Sequence, residues 1–189
     1  GGTVPPPLLV SNIVIASGAS ASGDALVSPF DFGNVAILTG KPQTFTLINK
    51  GKAPGRVHTV SSEAFKLEAP FTMLDTAAQG GLEPCATDLV LAAEGGACVF
   101  TVEFAPIDTN SSSEKIEVTY SDEPVSTTGE GGAGGAAPTT EGPSAPRTAQ
   151  ANLKGKGILD CSINPELAQA HAEGVQAAED KMVEDAARG

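Results

Sequence analysis

Cys85 and Cys98 bracket much of the stretch EPCATDLVLAAEGGACVFTVEFAP, which runs from Glu83 to Pro106. Two cysteines can form a redox couple, hold a metal or cross-link the chain. These two lie too far apart for the C-x-x-C redox motif. A structural zinc site takes four ligands, commonly in close pairs. The chain has only 3 Cys and 2 His, all dispersed. A disulfide and a reduced, buried pair are the readings left open. Cys161, in ILDCSINP, is the odd thiol, either buried or a candidate for an intermolecular disulfide.

Other chemistry-bearing types are sparse. His58 and His171 have no nucleophile or carboxylate motif around them, and the Ser-rich stretches lack a G-x-S-x-G context. No acid, base and nucleophile come together, so the chain is expected to be non-enzymatic and to need no cofactor. DTNSSSE (108–114) offers oxygens at alternating positions. Asp108, Asn110 and Glu114 are therefore weak metal candidates, but the central glycine of a calcium loop is missing and a polar hairpin turn is favoured. Asn110-Ser111-Ser112 also matches a glycosylation sequon.

The elements that would position these residues read as strands. The chain has 189 residues, with 22 Gly, 14 Pro, no Trp and one Tyr. This composition suits short strands and turns. FDFGNVAIL places Phe30 and Phe32 on one face. TFTLIN alternates, with Phe45 and Leu47 facing one way. RVHTVSS and AFKLEAP are shorter candidates. CVFTVEF turns Phe100, Val102 and Phe104 inward, KIEVTY does the same with Ile116, Val118 and Tyr120, and AQANLKG closes the series. Seven or eight short strands with turns between them make an all-β, antiparallel sandwich.

Three segments stand outside that pattern. Residues 1–25 read as an extended arm and linker, with GGTVPPP near polyproline II, a strand-like LLVSNIVIA and a flexible SGASASGD. The start without Met reads as an end left by processing or cloning. Residues 121–150 are a Gly-, Pro- and Thr-rich insertion with almost no apolar bulk. Residues 159–189 form a linker and an amphipathic helix, capped by Asn164 and Pro165, with a weakly apolar stripe through Ala168, Val175 and Met182. Leu9, Ile13 and Ile15 of the arm, and Ala168, Val175 and Met182 of the helix, are the expected partner contacts. The arm could add a strand to a neighbour's sheet.

The central segments resemble a known family. FDFGNVAILTGKPQTFTLINKGKAP, then CATDLVLAAEGGACVFTVEFAP, then ANLKGKG are similar to bacterial choice-of-anchor D domains, within the Ig-like group that includes the ASH (ASPM/Hydin-type) domains. The match covers about residues 28–158. It rests on the Phe-Gly opening strand, T-F-T-L-x-N-x-G, the Cys…Cys…F-x-P block and the closing L-x-G-x-G. The resemblance implies an Ig-like sandwich at 26–158 without intrinsic catalysis, common in exported bacterial proteins as a structural or interaction module. It also implies the disulfide between Cys85 and Cys98, and with it an oxidising compartment that is periplasmic, extracellular or at the cell surface.

Charge narrows the partners. Net charge is -12, which repels nucleic acid and anionic membrane surfaces and argues against both as partners. No apolar run reaches the roughly 20 residues of a membrane helix. The expected function is a structural or interaction subunit of an envelope or surface assembly, as a homo-oligomer or in a larger complex with other proteins. A surface ligand- or carbohydrate-binding module is the alternative, disfavoured by the shortage of aromatic rings.

Overall fold

A computed structural model describes residues 9–58, 67–124, 145–160, 162, 173, 176 and 180–188. Among these lie nine strands: β1 (Ile13–Ser17), β2 (Phe30–Ala36), β3 (Lys41–Asn49), β4 (Gly55–Val57), β5 (Phe71–Leu74), β6 (Val90–Leu91), β7 (Ala97–Phe104), β8 (Ser111–Asp122) and β9 (Arg147–Ile158). Residues 180–187 are helical. The strands form two sheets, β1-β3-β7-β5 and β2-β9-β8-β4-β6. The Ig-like sandwich expected from the sequence is the fold.

The core is a phenylalanine stack between the sheets. Phe32, Phe45, Phe71, Phe100 and Phe104 are fully buried. Phe71 and Phe104 centroids are 4.9 Å apart, Phe32 and Phe71 5.9 Å, and Phe45 and Phe100 5.5 Å. Phe30 meets Phe32 and Phe45 edge-on. Such offset and edge contacts add to the area these rings remove from water. Ile116, Val118 and Tyr120 fill the opposing face from β8, as the alternation of KIEVTY requires.

Four expectations are corrected. First, β2 pairs with β9 in parallel, with a register shift between Asp31 and Asn34 where Gly33 adopts a φ of 74°. The sandwich is therefore mixed; a long stretch of chain separates these two strands, so no tight turn constrains their direction. Second, the arm is part of the body. β1 pairs antiparallel with β3, from Ile13 opposite Asn49 to Ser17 opposite Phe45. Ile13 and Ile15 are buried in the core and so unavailable to a neighbour. Third, the start of the linker is pinned rather than free: the Thr46 hydroxyl donates to the Gly18 carbonyl and accepts from the Ser20 N–H. This cover buries Thr46 on the face expected to be outward. Fourth, the insertion is shorter than 121–150, because β8 runs through Asp122 and β9 starts at Arg147.

RVHTVSS contributes only its first residues, in β4, and residues 59–66 lie outside the described set. Leu67 and Glu68 lead into β5, which the sequence reading did not anticipate, and β6 is a further short addition. Among the described residues no helix is long and apolar enough to cross a membrane.

Candidate functional site

The cysteine block forms a junction between a loop and the middle of a sheet. Cys98 is wholly buried on β7 and bonded to Cys85, with Cα atoms 4.9 Å apart. The backbone reinforces the link: Cys85 N–H donates to the Val99 carbonyl at 2.8 Å, and Val99 N–H to the Glu83 carbonyl at 3.0 Å. The Glu83–Cys85 strip thus pairs in parallel along the edge of β7 that β5 leaves open, and Val99 is buried there as well.

At one end of the sandwich Asn49 ties four segments together. Its side-chain oxygen accepts from Asn12 N–H and Gly51 N–H, both at 3.0 Å. Its amide donates to the Ala53 carbonyl at 2.8 Å and the Leu91 carbonyl at 3.1 Å. A Cβ on Gly51 would strike the backbone of Val10 to Asn12. The N-x-G of the resemblance is therefore a buried polar knot with its partners satisfied.

The stem of the insertion leaves the same end. Asp122 closes β8, and its carboxylate accepts from Ser11 N–H at 2.7 Å and from the Ser11 hydroxyl. Arg147, opening β9, donates to the same carboxylate and to the Ser11 hydroxyl. The guanidinium also lies 5.2 Å from the centroid of the Tyr120 ring. Next to this pair, Arg56 and Glu123 form a bidentate pair at 2.6 and 2.7 Å. The hydrogen bonds from Arg56 hold the Glu123 carboxyl below its ordinary range and raise the Arg56 guanidinium. His58 Nε2 lies 2.7 Å from the Ser121 hydroxyl, which is buried in β8. These contacts tie β4, β8, β9 and the segment before β1 together at this end of the sandwich.

The weak metal candidates are not brought together as a site. Asp108 accepts from the Asn110 backbone and side chain, both at 2.9 Å, in a polar turn. Glu114 lies further on in β8 and accepts from its neighbour Lys115 N–H at 2.9 Å. Among the described residues no three His, Cys, Asp or Glu side chains are grouped to hold a metal.

Of the other expected contacts, Leu9 and Met182 are exposed. Ala168, Val175 and Cys161 lie outside the described residues. A polar groove of about 410 Å³ runs over β2, β9 and β8, lined by Asp31, Asn34, Ser111, Ser113, Lys154 and Lys156 among others. Asp31 sits 3.2 Å from Lys154. A hydrogen bond from Gly33 N–H, then one from Lys154, lowers its carboxyl.

The sequence matches the family of HYDIN/CFA65/VesB-like Ig-like domains over residues 26–130. The chain belongs to that family. The described part of the matched span carries β2 to β8, including the disulfide and Asn49. Two solved structures resemble this Ig-like chain. One is the Vibrio cholerae VesB protease, at 17% identity and a TM-score of 0.45, covering 67% of this chain and 29% of that one. The other is the ASH/PapD-like domain 7 of human CEP192, at 13% identity and 0.43, covering 85% of this chain and 96% of that one. The chain thus spans under a third of the VesB structure. No curated protein matches it.

The reading from sequence missed the Asn49 knot and the Asp122–Arg147 latch. For the knot a signal was present: an Asn two residues before a Gly, ending an alternating strand. For the latch the signal was weaker, an acidic and a basic residue on the two flanks of the low-complexity insertion.

Proposed function

We propose that this Ig-like chain is a non-enzymatic scaffold for protein–protein contact. In this reading it is an exported subunit of choice-of-anchor D type in an envelope or surface assembly. The observation that carries the reading is the buried Cys85–Cys98 junction, a cross-link suited to an oxidising compartment. The family membership supports a supporting rather than a catalytic role. The latch at the mouth of the insertion supports it too, since it fixes the two points from which residues 125–144 depart.

Peptide mass mapping of the protein recovered from its native compartment, with and without reductant, tests this. A Cys85–Cys98 linked peptide is expected; free thiols at both positions would overturn the exported reading. Cross-linking in intact cells tests the scaffold role, and recovery of only uncross-linked single chains would count against it. Carbohydrate binding is the weaker reading, because no aromatic ring is among the described residues that line the groove at Lys154 and Lys156.

A further inference from the structure

Of the six asparagines in the chain, only Asn110 has Ser or Thr two places on, in Asn110-Ser111-Ser112. That triplet is the acceptor pattern for an N-linked glycan, and it carries weight only on an exposed segment of an exported chain. The setting meets the first condition. Asn110 ends the connection from β7 to β8, and residues 107–111 are exposed one after another. Residues 107–110 belong to no strand or helix. β8 begins at Ser111, but its first buried residue is Ile116. No core side chain therefore anchors Ser111 or Ser112, and this end of the strand opens at little cost.

The amide itself is held ready. Asp108 Oδ1 accepts from the Asn110 backbone N–H and Oδ2 from Asn110 Nδ2, both at 2.9 Å. One carboxylate thus fixes the turn and orients the side-chain amide. The Asn110 carbonyl accepts from Gly157 N–H at 3.2 Å, and the missing Cβ of Gly157 leaves room for the Asp108 carbonyl. The turn is therefore seated on β9 while Asn110 stays exposed.

We propose that Asn110 carries an N-linked glycan, with Asp108 positioning its amide and Ser112 supplying the hydroxyl that a transferase reads. The donor is a sugar pyrophosphate carried on a membrane lipid, an activated sugar that can be presented on the far side of a membrane. Asn110 Nδ2 attacks the anomeric carbon and forms the C–N bond. The C–O bond to the pyrophosphate breaks, and the lipid pyrophosphate leaves with the electron pair. The amide gives up one proton to a carboxylate base, and nothing is oxidised or reduced. β8 has 12 residues, so Asn110 and the insertion stem at Asp122 stand about 35–40 Å apart. A bulky, solvated group at one end leaves protein contact to the other. The proposal rests on the exported reading, and one peptide tests the two separately.

Trypsin cleaves after Lys66 and Lys115 and at no residue between them, so Cys85, Cys98 and Asn110 fall on one peptide, 67–115. Its mass, from the full chain recovered from its native compartment, reads the cross-link and the modification together. An added sugar mass at Asn110 is expected. Asn110→Gln and Ser112→Ala should each abolish it, and Ser112→Thr should keep it. The cross-link on the same peptide shows that each variant has folded. Asp108→Ala should lower the modified fraction with little change in melting temperature, because Asp108 is exposed. An Asp108 that served only the turn would do the reverse, and that result would remove its positioning role. A cross-linked peptide with bare Asn110 would overturn the proposal and leave the exported reading standing. Free thiols with bare Asn110 would overturn both. Added mass that survives Asn110→Gln would place the sugar elsewhere and sink the assignment.

Discussion

Arg147 and Asp122 face each other across the mouth of the insertion, and Ser11 bonds to both. One carboxylate thereby joins the end of β8, the start of β9 and the segment before β1. Asp122→Ala removes an acceptor of three donors and leaves the buried Ser11 N–H without it. A loss of about 1–2 kcal/mol is expected on denaturant unfolding, discounted for the partly exposed guanidinium. Asp122→Asn should recover part of it, because an amide oxygen still accepts from Ser11. Equal stability of the alanine variant and wild type would mean that the latch contributes nothing.

The Cys85–Cys98 bond closes a loop across a sequence separation of 13. Constraint of the unfolded chain by such a loop contributes about 3 kcal/mol. Replacing both cysteines by alanine should lower stability by about that amount, plus a smaller penalty for the space left at buried Cys98. The fold should survive, because the backbone bonds between Cys85 and Val99, and between Val99 and Glu83, do not depend on sulfur. Circular dichroism and urea unfolding of the double variant, with and without reductant beside wild type, check both parts.

The closing L-x-G-x-G has a steric cause. A Cβ on Gly155 would lie 2.5 Å from the ring of Phe104, and one on Gly157 would overlap the Asp108 carbonyl. Gly155→Ala should cost about 1–3 kcal/mol through overpacking of the phenylalanine stack. The second substitution, Gly157→Ala, should cost at least as much, since a backbone carbonyl cannot rotate aside. Pairing Gly155→Ala with Phe104→Leu should return part of the loss; no coupling between the two would show that the ring is not the obstacle.

Period-2 alternation made the central strands legible: Phe100, Val102 and Phe104, and Ile116, Val118 and Tyr120, all lie where the pattern puts them. The pattern was blind to outer cover. Thr46 and Thr101 read as an outward face, but they are buried, and local sequence does not show that the 18–20 segment packs over Thr46 or that the Glu83–Cys85 strip pairs along the edge of β7 at Val99. The same limit hid β1. Ile13 and Ile15 are as suited to a neighbour's sheet as to their own, and only the register with β3 decides. Composition located the insertion but not its edges, because Asp122 and Arg147 belong to strands while resembling loop residues. The positive φ of 64° at Leu38, in the turn after β2, had no signal at all, since a leucine after an isoleucine reads as more strand.

Glu123 offers a test by pH. Hydrogen bonds from Arg56 hold its carboxyl below the ordinary range in the folded chain. A depressed folded value means that the unfolded chain binds the proton more readily. The stabilisation is therefore full above the unfolded value of about 4.3 and is lost as pH falls through the folded one. Glu123→Gln should lower the melting temperature slightly at neutral pH, by about 2 °C at most given the exposure of the pair. The gap should narrow as pH falls below 4 and close once the wild-type carboxyl is protonated. Added salt at neutral pH should shrink it as well. A gap that stays constant from neutral to acid pH would assign the effect to packing of the side chain rather than to its charge.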